Sequence, residues 1–191
     1  MQHLLLGLDP SSIRREPYVP ASTSFPILSA VEVRLNVAEG APLYLFPAAS
    51  GYVGGDVGYR VGIHMKSFEE KIPVIVIGGK AGDFLGEYMA GGIIILLGML
   101  SQSGPEQPLA GNFLGTGMHG GAIYTRGPVD KHSLGKGLGI KEACPPEISS
   151  IKPYLEEFGR QFDFELDEIL KEKFYCIYPT THRPYGNMYA Y

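Results

Sequence analysis

The chain is predicted to be mainly β, a solenoid of stacked coils with an N-terminal cap and a C-terminal helical extension. Three observations predict it: a glycine spacing that recurs three times, a methionine at one fixed place in every copy, and a short β-branched run closing each copy. Gly55, Gly58 and Gly62 are separated by two and then three residues, and Gly79, Gly82 and Gly86 repeat that spacing. Pro108, Gly111 and Gly115 repeat it with one substitution. Met65, Met89 and Met118 each follow the third position by three residues. The second and third copies align without gaps, Gly82 to Gly98 on Gly111 to Gly127, with nine identities in seventeen positions.

The copies are offset by 24 residues from Gly58 to Gly82 and by 29 from Gly82 to Gly111, the unit length of solenoid repeats. The runs Ile72–Ile77, Ile93–Leu97 and Ala122–Thr125 are short, β-branched and bounded by glycine, which reads as strand rather than helix. Gly55, Gly58, Gly62, Gly79, Gly82, Gly86, Gly111 and Gly115 are expected at tight corners, where the chain needs positive φ or close approach of the next coil. Of the 26 glycines, 22 lie between Gly51 and Gly139, so the enrichment belongs to the repeats.

Taken in order, residues 1–26 carry prolines, serines and Arg14–Arg15 without periodicity and read as an arm. Val31, Val33, Leu35 and Val37 alternate with polar residues, a half-buried strand, and Leu43–Phe46 reads as a second. Together they are expected to cap the first coil, whose strand edges and core would otherwise lie open. Gly127–Gly139 reads as a loop leaving the repeats. Ser150 offers an N-cap and Pro153 fits a first turn, while Ile151, Leu155, Phe158 and Phe162 share one helical face, predicting a helix over 150–162. A short helix follows at about 165–172, then a strand Phe174–Tyr178. The tail from Thr180 holds Tyr185, Tyr189, Tyr191, His182 and Arg183, an interface-like composition.

A net charge of −4 and the absence of a basic stripe argue against nucleic acid. No apolar run approaches the roughly 20 residues that span a bilayer. Cys144 and Cys176 stand 32 residues apart without metal-ligand spacing, which fits a reduced, cytoplasmic setting. Gly115-x-Gly117-x-x-Gly120 matches a dinucleotide fingerprint in letters, but a strand follows where the fingerprint needs a helix. His64 and His119 have no recurring Ser or Cys nucleophile beside them. The methionine row reads as core filling. Asp56, Asp83 and Glu87 do not recur in every unit as repeat-borne calcium ligands would.

The glycine spacing, the block Gly86–Gly92 followed by an apolar strand and Gly98, and Gly117-Met-His-Gly-Gly121 resemble the glycine-repeat domain of the glutamate synthase large subunit. The resemblance covers roughly residues 51–127. It implies a right-handed parallel β-helix over 27–139, flanked by the arm 1–26 and a helical extension and tail over 140–191. It further implies an assembly subunit without an active site, metal or cofactor of its own, holding glutaminase-like and FMN synthase-like partners together. FMN and iron–sulfur clusters would belong to those partners, and self-association is an open option. Alternatives are a component like the glycine-repeat subunit of formylmethanofuran dehydrogenase, or a solitary β-helix binding a carbohydrate or other small ligand in its groove.

Overall fold

The computed structural model describes residues 32–35, 50–104 and 106–181. The arm 1–26, the strand expected at Leu43–Phe46 and the aromatic tail beyond residue 181 lie outside the described residues.

Among the described residues seven strands form one sheet: β1 (Glu32–Leu35), β2 (Ser50–Val53), β3 (Val74–Ile77), β4 (Ala90–Leu96), β5 (Gly120–Arg126), β6 (Leu138–Glu142) and β7 (Phe174–Pro179). Two helices, α1 (Pro145–Phe162) and α2 (Leu166–Ile169), lie between β6 and β7 in sequence. The spatial order is β1-β2-β3-β4-β5-β7-β6. The first five strands pair in parallel, and β7 then pairs antiparallel with both β5 and β6.

Both faces of β3 and β4 are covered, which is why these strands read as unbroken apolar runs. On one face, Ile75, Ile77, Ile94, Leu96 and Ile123 meet the inward residues of the repeat turns: Val57, Val61 and Met65, then Ala81, Leu85 and Met89, then Ala110, Leu114 and Met118. On the other face, Val74, Val76, Ile95 and Tyr124 pack against Ile151, Leu155 and Phe158 of α1 and Ile169 of α2. Alternate residues of β3, β4 and β5 thus serve two separate cores, as the pleat requires.

The expected right-handed parallel β-helix is corrected to a mixed, α/β-like arrangement. Two strands run antiparallel within the same sheet, and helices cover one of its faces. Away from the sheet, the turns are joined by isolated parallel bridges, Val57–Ala81, Ala81–Ala110 and Leu114–Leu134, and form no second sheet among the described residues. The repeats stack, but they build one layer of a layered fold.

Helix α1 also begins earlier than its predicted start. Cys144 is its N-cap, Pro145 and Pro146 occupy its first turn, and the Glu147 carboxylate reaches back to the Cys144 N–H at 2.9 Å. Prolines are tolerated there because those N–H groups have no helical acceptor. Ser150 and Pro153 therefore lie inside the helix rather than at its start. At the far end Asp163 takes a left-handed conformation and closes the helix onto Gly159.

Candidate functional site

Successive repeat copies are tied backbone to backbone. Arg60 N–H donates to the Asp83 carbonyl and Phe84 N–H to that of Asn112, both at 2.9 Å. His64 N–H donates to Glu87 at 2.9 Å and Tyr88 N–H to Thr116 at 2.8 Å. Equivalent residues consequently stand one above another.

Two such columns carry side chains in a conformation L-residues seldom adopt. Arg60, Phe84 and Phe113 have φ of 60°, 61° and 61°, and the neighbouring column of His64, Tyr88 and Gly117 has 55°, 52° and 72°. A left-handed non-glycine residue costs about 1–2 kcal/mol, so five of these six positions hold strain. The side chains are stacked. Phe84 and Phe113 have ring centroids 4.8 Å apart at 15°, the Arg60 guanidinium carbon lies 5.5 Å from the Phe84 centroid, and His64 stacks on Tyr88 at 5.3 Å and 11°. These spacings follow the roughly 4.8 Å separation of adjacent strands. Phe113 is 54% exposed, and Tyr59, next to Arg60, is 57% exposed.

Glu87 sits in sequence between the two columns and is only 7% exposed. Arg60 Nε lies 3.2 Å from its Oε2, yet that N–H does not point at the oxygen, which takes no hydrogen bond from the described residues. A buried carboxylate oxygen held this way is an acceptor left open. His119, within the third copy, is exposed, with Nδ1 3.2 Å from the Gly117 carbonyl.

Of the corner glycines, Gly62, Gly86 and Gly115 have φ of 72°, 68° and 66°. A Cβ at Gly82 would come within 3.0 Å of Gly58, while those at Gly79 and Gly111 would overlap Asp56 and Asp83 respectively. The Gly58 carbonyl accepts from Gly82 N–H at 3.2 Å, and Gly55 has no described atom within 4 Å of a built Cβ. Asp56 and Asp83 are occupied in the same way. Asp56 Oδ1 accepts the Lys80 N–H and Asp83 Oδ1 accepts the Asn112 N–H, each at 2.7 Å. Asp56 also binds Gln102 N–H and the Ser103 hydroxyl. Burial pushes its pKa up, but these hydrogen bonds outweigh burial and the net shift is downward.

A second polar cluster joins residues that sequence spacing keeps apart. At the start of α1, the Cys144 thiol donates to Glu147 Oε2 at 3.0 Å, and Lys141 Nζ lies 3.1 Å from Oε1. Cys176, paired with Lys141 across β6 and β7, interacts with the same carboxylate and with the Tyr124 hydroxyl. The Cys144 N–H and thiol, helped by Lys141, hold Glu147 down at about 2. Burial, reinforced by the Glu147 charge, pushes the Cys176 thiol up to about 11. Burial likewise raises Tyr124. Cys144 thus occupies the N-cap position of α1, with both its N–H and its thiol bound to the Glu147 carboxylate. The available signal was Glu147 three residues after a residue followed by two prolines.

A family model of the RACo middle region matches residues 1–67. The chain is also similar to uncharacterized protein MJ1350 of Methanocaldococcus jannaschii, with 50% identity over 138 residues, 71% of this chain and 53% of that protein. The chain thus spans about half the length of the curated relative it matches. Neither match is to glutamate synthase, so that resemblance is corrected. The assembly role drawn from it falls with it, as do the glutaminase-like and FMN synthase-like partners, the self-association and the formylmethanofuran dehydrogenase alternative. The carbohydrate alternative presupposes a solitary β-helix, which the antiparallel β5–β7 and β6–β7 pairings and the covering helices correct. Among the described residues no helix is long and apolar enough to cross a membrane.

Proposed function

We propose that the chain is a recognition module that docks another protein on the exposed columns of its repeat turns. The observation that carries this reading is the left-handed stack Arg60–Phe84–Phe113. Backbone strain in non-glycine residues persists where the surrounding fold enforces it, and such residues cluster at functional sites. Here the strain holds side chains out of the core: Phe113 is exposed although a Phe buried in either core would contribute more to stability. The set of Tyr59, Arg60, His64, Phe84, Tyr88 and Phe113 is rich in the aromatic and arginine side chains that anchor protein interfaces.

The reading is tested by placing a photo-activated benzoyl-phenylalanine at position 113, with a control at the exposed Lys152 of α1, and irradiating source cells. One identified partner protein joined at 113 and absent from 152 is the expected result. Equal adducts at both positions, or none at 113, would overturn the reading.

A further inference from the structure

The partner chemistry at this surface can be read from Glu87. Resting on the docking reading above, we propose that the Glu87 carboxylate is the anchor for an arginine side chain of the partner, and that Arg60 is its internal stand-in. Three features converge. Glu87 is more than nine-tenths buried, and its Oε2 takes no hydrogen bond from the described residues. Such an acceptor is stabilised by a charged N–H donor aimed at it. The guanidinium of Arg60 already lies against both elements of the site, 5.5 Å from the Phe84 ring and 3.2 Å from Oε2, so a group of this shape fits there. Its seating is poor, because the Nε–H misses the oxygen and Arg60 leaves its own left-handed backbone at φ 60°.

An incoming arginine is free of that backbone constraint. It can approach end-on and give the carboxylate two parallel N–H groups, as guanidinium–carboxylate pairs prefer. Arg60, whose side chain is 49% exposed, swings into solvent at little cost and acts as the lid of the site. Phe84 and Tyr88 flank Glu87 within one turn, supplying ring surface suited to a cation. The chain's net charge of −4 suits a partner bearing an exposed basic side chain. Lysine offers a point charge without the planar fork and is expected to bind less well.

The probe is blocked arginine, N-acetyl-arginine methylamide, titrated into the full chain and followed by NMR shifts. Blocked lysine and blocked citrulline, the neutral isostere, serve as comparators. Arg60→Gly vacates the site and also relieves its strained backbone, so it should bind blocked arginine at least tenfold more tightly than the unmodified chain, and citrulline not at all. Adding Glu87→Gln to Arg60→Gly should remove at least tenfold of that affinity, with a thermal midpoint showing that the double variant is folded. No gain on Arg60→Gly, or a gain that Glu87→Gln leaves intact, overturns the assignment. The crosslink at position 113 separates this outcome from the docking reading. An adduct that forms while the arginine arms fail removes Glu87 as anchor and leaves the surface, whereas loss of the adduct removes the surface itself.

Discussion

Asp83 Oδ1 accepts the backbone N–H of Asn112 at 2.7 Å, and Asn112 is the residue equivalent to Asp83 in the next repeat copy. Asp56 does the same one copy earlier, with Lys80 as its counterpart. Each aspartate therefore ties its own turn to the next, and the residue it crosses, Gly79 or Gly111, has no side chain to obstruct it. Asp83→Ala should cost about 1 kcal/mol, the usual net value of such a bond. Gly111→Ala should cost more, on the order of 2 kcal/mol, because its Cβ would also fall 2.7 Å from Asp83 N. The double variant should cost less than the sum, since the alanine at 111 already displaces the aspartate. Additive urea-denaturation values would show that the two residues do not act through one contact.

The capping carboxylate makes stability depend on acid. Glu147 is held at about 2, well below its ordinary value of 4.5. A lowered folded-state pKa contributes stability that is fully present above 4.5 and is lost as pH falls from 4.5 through about 2. Glu147→Gln should flatten that limb of a plot of urea midpoint against pH while leaving slopes above about pH 6 unchanged. Asp56, also shifted downward, contributes on the same side and will leave a residual slope. An identical acid limb in wild type and variant would remove Glu147 as its source.

The sheet was largely legible from sequence because its chemistry is periodic. Three of the predicted apolar runs overlap β3, β4 and β5, and Phe174–Tyr178 lies within β7. What could not be read was where those strands go. Nothing in Phe174–Pro179 tells whether it closes a parallel coil or inserts antiparallel beside β5, because pairing direction depends on the path between strands and not on residue type. The helix start was misplaced for a related reason. Ser150 is a good cap in isolation, but the carboxylate that closes this helix is Glu147, acting on a cysteine that propensity does not favour. The strained columns carry no sequence signal of their own: glycine spacing marks Gly62, Gly86 and Gly115, whereas Arg60, Phe84 and Phe113 take the same backbone conformation without being glycine. The two cysteines meet at one carboxylate only through the β6–β7 pairing.

Pro153 provides a check on the corrected helix boundary. It lies well inside α1, is exposed, and removes one backbone bond from the helix ladder. A mid-helix proline costs about 3 kcal/mol relative to alanine, partly offset by the 0.4–1 kcal/mol or so that proline gains by restricting the unfolded chain. Pro153→Ala should therefore stabilise the protein by about 2–2.5 kcal/mol, raising the thermal midpoint by several degrees. A proline in the first turn would make the same substitution neutral or destabilising, so a midpoint that stays or falls would return the helix start toward Ser150.

The left-handed stack can be tested without knowing any partner, by comparing two truncations at one position. Phe84→Ala and Phe84→Gly both delete the ring, its stacking on Phe113 and the cation held above it, contacts of roughly 0.5–1.5 kcal/mol. They differ in the backbone. Alanine keeps a Cβ in a conformation that disfavours one, whereas glycine adopts φ of 61° freely. In an ordinary exposed turn with negative φ, glycine would be the less stable variant because its unfolded chain is more flexible. Here the order should reverse, with Phe84→Gly about 1 kcal/mol more stable than Phe84→Ala, the size of the left-handed penalty less that entropy. Because ring loss is common to both, the difference isolates strain from packing. Urea denaturation of the pair at equal slope measures it, and an alanine variant as stable as the glycine one would mean that Phe84 is not held in a strained turn.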